Sequence, residues 1–289
     1  MLNKNIKSPV NIPVSKIHPF EGNPYKVLDN DEMNTLICSI QEQGILTPII
    51  IRPIENTDEY EVISGHRRLH ATVKAGMKEV PAFIYAVTRD EAAIMLVDSN
   101  LHLEHILPSE KAFAYKLKLE AIKRQGERTD LTSDQVGRKL ESAELIANKS
   151  DDSKTQVRRY IRLTNLIPEL LELVDEEKIA LTPAVELSYL SDEEQYSLLG
   201  TIEEEDRTPS LSQAVRFKKL SQAGELSDES IETIMQEDKA NQKPMFKVSM
   251  ERLQKVAPKV KDKDFEDFVL KACEHYYRYL LRQRDRDSR

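Results

Sequence analysis

Five consecutive residues, Ser64-Gly65-His66-Arg67-Arg68, carry the first recognisable chemistry in the chain. They follow an apolar stretch, Tyr60 to Ile63, that predicts a strand, and they open a helical segment that Gly76 closes. A glycine at such a junction lets the backbone approach a ligand. The first N–H groups of the helix have no partner within it, and its dipole favours an anion there. Arg67 and Arg68 add forked donors that suit phosphate oxygens. The same residues also read as a plain surface turn whose arginines meet carboxylates or water, because short Gly-Arg runs arise by chance.

A second constellation lies in Ala143 to Leu163. Ala147 and Val157 have the separation of the two packing points of a helix-turn-helix, with Asp151 in the turn position usually held by Gly and Ser153 or Asp152 as the N-cap of the second helix. On that second helix Val157, Tyr160 and Ile161 share one side, while Lys154, Arg158 and Arg162 form an i, i+4, i+8 stripe on another. A major groove accepts such a helix with its N-terminal residues near base edges. The expected roles are Lys154, Thr155 and Gln156 on bases or nearby phosphates, and Arg158, Arg159 and Arg162 on the backbone of double-stranded DNA. The rival reading is an amphipathic helix in an ordinary bundle with a solvated basic face. His102 and His105 with Glu104 hint at a metal site, but a polar helix surface accounts for them with less.

The elements that must position these groups follow from patterning. The β-branched run Pro48 to Pro53 predicts a strand that pairs with Tyr60–Ile63 across a turn at Asn56-Thr57-Asp58, and Val80 to Tyr85 predicts another. Val10 to Ile17 reads as a short strand, and Asp31 to Gln43 as a helix ended by Gly44. From Pro108 to about Gln222 the pattern is almost wholly helical, with a polar break at Gly126 to Leu131. The fold class expected is α+β: a flexible N-terminus (1–9), a small mixed α/β domain (10–106), an all-α helix-turn-helix domain (107–222), a linker around a short helix (223–243), and a small C-terminal module (244–289). In that module a strand at Met245–Ser249 precedes a short helix and a long helix from about Asp264. Phe265, Phe268, Val269, Ala272, Tyr276 and Leu280 approximate a stripe suited either to a second copy or to packing on the same chain.

The 289 residues carry a formal net charge of −8, which taken alone argues against nucleic acid. The charges are segregated, however: acidic residues crowd Glu203–Asp206 and Glu225–Asp238, basic ones Lys154–Arg162, Lys255–Lys263 and Arg282–Arg289. No apolar run approaches a membrane span, and the start lacks the apolar core of a secretory signal. Two cysteines, Cys38 and Cys273, far apart in sequence, do not make a disulfide framework, so a reducing cytoplasm is expected.

Glu61 to Pro81 resembles the signature segment of the ParB partition family, which carries a Gly-Glu-Arg-Arg motif here and binds CTP through it. Gln43 to Pro53 is similar to the family segment that lines the nucleotide pocket, and Ser99 to Pro108 to its Glu-Asn-Leu-Gln-Arg-Glu box, which serves magnesium and the triphosphate. The resemblance implies nucleotide contacts from Gly44, Thr47, Gly65, His66, Arg67, Arg68, Ser99 and Asn100, with Asn100 on Mg2+. His66 stands where many relatives have Glu, Ser99 where the family has a Glu implicated in metal binding and hydrolysis, and Leu103 where it has an Arg. These departures remove a hard oxygen ligand and a cation, so only a weak CTPase, or none, is expected. Thr155 to about Leu190 again resembles the family, in its recognition helix and those that follow. The resemblance implies a sulfiredoxin-like N-terminal fold, a homodimer reading a centromere-like site as a clamp, and a ParA-type ATPase partner, for which Lys4 and Lys7 are the basic N-terminal candidates. It implies a cytoplasmic protein associated with a nucleoid or plasmid, and no membrane partner. A transcriptional regulator with a degenerate pocket is the first alternative. A small-molecule kinase on the same fold is the second, and it leaves the helix-turn-helix unexplained.

Overall fold

Ile49, Ile51 and Val62 lose all contact with solvent, and the strands that carry them form the centre of a five-stranded mixed sheet. The structure, a computed structural model, describes residues 8–101, 106–129, 146–147, 152–237, 255, 257, 260 and 265–287. Strands β1 (Val10–Pro13), β2 (Ile17–His18), β3 (Ile49–Pro53), β4 (Tyr60–Ser64) and β5 (Glu79–Ile84) lie in the order β1-β5-β3-β4-β2. β3 and β4 pair antiparallel with Ile51 opposite Val62, and Asn56, at φ 61°, lies in the connection between them. β3 also pairs parallel with β5, and β1 antiparallel with β5. The segment read as one strand from Val10 to Ile17 is two, split by a 3-10 turn at Val14–Lys16.

Helices flank the sheet. α1 (Asp31–Gln43) is capped by Asn30, whose side chain accepts from the Met33 N–H at 3.0 Å, and ends at Gly44 in the left-handed region. α2 (His66–Lys74) lies against it through Met33, Ile40 and Ala71. α3 (Arg89–Asn100) starts in a capping box of Thr88 and Glu91. A second cluster, Phe20, Ile63, Ala92, Ala93, Leu96, Val97, Ala114 and Ala121, carries the core from the sheet through α3 into α4 (Pro108–Thr129). α4 does not break at Gly126. A lone glycine costs a helix only about 1 kcal/mol relative to alanine, and the helix continues to Thr129.

Polar contacts fasten α3 to α4. The Lys118 ammonium, 1% exposed, is bonded to the Asp98 carboxylate, and Arg124 Nε reaches Asp90 at 2.8 Å. α4 in turn packs against α5 (Lys154–Leu163). Helices α6 (Pro168–Asp175), α7 (Leu181–Leu187), α8 (Asp192–Glu205), α9 (Leu211–Ala223) and α10 (Asp228–Gln236) complete a helical body around Leu163, Leu170, Leu187, Leu198 and Phe217. The corner between α5 and α6 is tied by Gln195, which is wholly buried. Its carbonyl accepts from the Ile167 N–H at 2.9 Å, and its amide donates to the Asn165 and Leu190 carbonyls, each at 3.0 Å.

The stretch 223–243, expected as a linker around a short helix, holds that helix as α10, but its Ile231, Ile234 and Met235 belong to that same core. Its apolar residues are spaced i, i+3, i+4, and the acidic residues between them hide the stripe in a composition-based reading. Residues 1–237 and 238–289 form two compact units. In the second, α11 (Phe265–Asp287) leaves Phe268, Tyr276, Tyr277 and Tyr279 exposed. The strand expected at 245–249 and the short helix after it lie outside the described residues. Cys38 and Cys273 are free thiols, and among the described residues no helix is long and apolar enough to cross a membrane.

Replacing Asp98 by alanine strands a buried ammonium. Asp98→Ala should lower the free energy of unfolding by about 3 kcal/mol, whereas Lys118→Met, which leaves a partly exposed carboxylate, should cost clearly less. Urea denaturation of both variants checks this.

Candidate functional site: an anion cleft and a basic helix

The sheet delivers Gly65 to the start of α2 at φ 101°, a conformation open to glycine. A Cβ at this position would lie 2.8 Å from Ile49 Cγ2 and 3.0 Å from an Arg68 guanidinium nitrogen. The missing side chain therefore makes room for the guanidinium, which reaches the Thr47 and Pro48 carbonyls, the latter at 2.8 Å. No carboxylate among the described residues neutralises Arg68, and burial lowers its pKa from the usual guanidinium value. Arg67 turns outward to Glu32 at 2.9 Å, with both side chains largely exposed.

Next to these arginines lies a cleft of about 520 Å³. Its floor is Ser64 to Arg68, and Asn100 from the end of α3 contributes to its wall. The rest comes from Asn23, Tyr25 to Leu28 and Asn30 in the irregular segment before α1, which the sequence reading did not single out, and from Ile106, Leu107 and Glu110 at the start of α4. Glu110 holds the two walls together, accepting from the Lys26 N–H at 2.8 Å and the Leu107 N–H at 3.2 Å. The Tyr25 hydroxyl is buried with no hydrogen-bond partner among the described residues, and its burial and the nearby Glu110 carboxylate push its pKa up. The signal in this segment was Asn23-Pro24, a turn-forming pair, with Asn30 as an N-cap.

His66 lines the cleft and faces inward. Its Nε2 accepts from the Phe20 N–H at 3.4 Å, and burial lowers its pKa from 6.5 to about 4, so the ring is neutral near pH 7. Of the other residues expected at a nucleotide, Gly44 ends α1, Thr47 offers its carbonyl to Arg68, and Ser99 donates to the Leu96 carbonyl of its own helix at 2.9 Å; none of the three lines the cleft. Asn100 also donates to Leu96, at 2.8 Å. It is joined at the cleft by one carboxylate, Glu110, whose oxygens already accept backbone N–H groups. No group of three potential metal ligands occurs among the described residues. His102, Leu103, Glu104 and His105 lie outside them.

The second site is α5. Ser153 is its N-cap, accepting from the Gln156 N–H at 3.2 Å, while Asp152 is engaged by Lys111 and Tyr115 instead. Val157 is buried with Tyr115 and Ile146, and Ala147 packs against the same cluster. Ile146 and Ala147 are helical, and Asp151, the expected turn residue, lies outside the described residues. Thr155, Arg158 and Arg159 are exposed; Lys154 and Gln156 are half-buried. Arg162 leaves the expected stripe. It donates to Ser188 Oγ at 3.1 Å and the Ser188 carbonyl at 2.9 Å, and lies 3.9 Å from the centroid of the Tyr189 ring, which also receives Lys218 at 3.7 Å. Arg162 thus ties α5 to α7.

The chain thus joins a mixed sheet with an arginine-bearing helix start to a helical body that presents a basic helix. The model of the ParB N-terminal domain matches residues 2–101. The chromosome-partitioning protein Spo0J of Thermus thermophilus is 30% identical over 207 residues, which is 72% of this chain and 70% of the relative. A nucleoid occlusion protein of Listeria innocua is 29% identical over 205 residues, 71% of this chain and 66% of that one. The C-terminally truncated chromosome-partitioning protein ParB of Caulobacter crescentus, solved with the centromeric parS site, superposes with a TM-score of 0.42 at 19% identity, over 78% of this chain and 98% of that structure. The chain belongs to the ParB/Spo0J family.

The neutral His66 gives a stability signature. Below about pH 6.5 the unfolded chain takes up a proton that the folded ring refuses until about pH 4, so stability is intact above this window and declines as pH falls through it. In urea denaturation between pH 7 and 4, His66→Gln should flatten that decline.

Proposed function

We propose that this protein is a partition or nucleoid-occlusion protein that holds CTP in the cleft beside α2 and binds double-stranded DNA along α5, working as a homodimer. The observation that carries the nucleotide half is Arg68. It is a partly desolvated cation bonded to carbonyls and free of any carboxylate among the described residues, set beside a helix N-terminus and an open cleft. Cation and helix dipole both gain from an anion there. Membership in the family supports CTP as that anion.

The DNA half rests on α5, which turns its apolar side into the core and leaves Thr155, Arg158 and Arg159 outward as a helix-turn-helix recognition helix would. Arg162 serves this face indirectly, by fixing the helix against α7. We assign the C-terminal unit to dimerisation, since the exposed rings of α11 suit a second copy, and we place the protein in the cytoplasm on the nucleoid or a plasmid, with a ParA-type ATPase as partner. Lys4 and Lys7, the expected contacts for that ATPase, lie outside the described residues.

For magnesium the described residues do not make a set. Asn100 is joined by no carboxylate free of other bonds, and Ser99 is bound back to its own helix. This favours a CTP-holding protein with little or no turnover, and gives the regulator reading its one point of support. Family membership disfavours a small-molecule kinase.

Equilibrium titration of the full chain with labelled CTP should saturate, and Arg68→Ala should weaken binding about a hundredfold, as for a desolvated charge-assisted contact of roughly 3 kcal/mol. Absence of saturable binding by the native chain would leave the regulator. With DNA fragments recovered by genome-wide crosslinking, Arg158→Ala with Arg159→Ala should weaken binding at every sequence and reduce the slope of log affinity against log salt by about 2. An unchanged slope would remove these arginines from the phosphate contacts.

A further inference from the structure

Lys26 sits where the cleft wall meets the helical body. Its backbone N–H is held by Glu110 Oε1 at 2.8 Å, so the main chain is fixed and only the side chain can swing. The ammonium reaches Asp175 Oδ2, at the C-terminal end of α6, at 3.8 Å. That distance is long for an ion pair, and the side chains are 57% and 9% exposed for Lys26 and Asp175 respectively. Asp175 does not depend on this cation. Its two oxygens already accept from the Ser109 N–H at 2.8 Å and from the Ser109 hydroxyl. The other cations that line the cleft are held closer, Arg67 by Glu32 at 2.9 Å and Arg68 by carbonyls. Lys26 is therefore the cleft cation with the loosest tie.

We propose that Lys26 is shared between two anions, the Asp175 carboxylate when the cleft is empty and a phosphate of the bound nucleotide when it is filled. The carboxylate of α6 is then a built-in competitor for nucleotide, and binding in the cleft withdraws a contact from the helical body. By thermodynamic reciprocity, the factor by which the Lys26–Asp175 contact weakens nucleotide binding is the factor by which bound nucleotide weakens that contact. This rests on the nucleotide reading above.

Calorimetric titration of the full chain with CTP, for the native protein and four variants, tests the competition. Asp175→Asn keeps an acceptor for the Ser109 N–H and a partner for its hydroxyl while removing the charge. It should tighten binding about threefold, the scale of a partly exposed pair. Lys26→Met should weaken binding about fivefold, and the double variant should match Lys26→Met, because without the ammonium there is nothing to compete for. Ser109→Ala takes the hydroxyl from Asp175 Oδ2, the oxygen that Lys26 also reaches, and should weaken binding slightly. Tightening by Ser109→Ala, no tightening by Asp175→Asn, or tightening that persists in the double variant overturns the competition while native CTP binding stands. No saturable binding by the native chain overturns the nucleotide reading and this proposal with it.

Discussion

The space left by the missing side chain at Gly65 is the constraint on which the site depends. Because no Cβ occupies it, the Arg68 guanidinium packs against the backbone of the strand-to-helix junction and reaches the two carbonyls that precede β3. One residue type thereby sets three things at once: the left-handed turn that starts α2, the direction of its first N–H groups, and the loop at 44–48 that the guanidinium pulls in. The cleft is a consequence of this arrangement. Arg67 and Arg68 line it, and its opposite wall is an irregular segment held by Glu61, which accepts from the Glu21 N–H, and by Glu110, which accepts from the Lys26 N–H.

The remainder of the first unit is joined to this junction through charges placed where apolar side chains would be the default. Asp98 with Lys118, Asp90 with Arg124, and Asp175 with Ser109 all lie between elements that a purely apolar interface could have held. Buried pairs contribute little net stability, but they fix register, because a shifted helix would leave a charge without its partner. α3, which ends at the cleft, and α4, which supports α5, are thus locked in one relative position, and the two candidate sites belong to one mechanical unit.

Much of the sheet was legible because strand periodicity survives in a short sequence: the β3–β4 hairpin was readable from its apolar runs and the Asn56 turn, and α2 from Gly65 and Gly76. The Ser64–Arg68 motif was readable for the same local reason. What was hidden depends on distant contacts. Asn23 to Asn30 has no periodicity, and becomes a cleft wall only through Glu110, far along the chain. The packing of α10 into the core was obscured by its acidic surface, and the continuation of α4 through Gly126 by a residue whose helix cost is small enough for tertiary packing to outweigh. The direction of Arg162 was likewise beyond reach, since a helical wheel shows a stripe but not the ring of Tyr189 that captures one member of it.

Gln195 gives the helical body a particular character. The corner between α5 and α6 is held by a side-chain amide that reads three main-chain groups, in a place where leucine would fill the volume equally well. Contacts between hydrocarbon surfaces permit neighbouring helices to slide and rotate by small amounts at little cost, whereas a three-point hydrogen-bonded knot does not. The angle at which α5 projects from the body is accordingly inherited from a residue on α8. A change at this one interior position would therefore alter the pitch of α5 while leaving every outward side chain as it is.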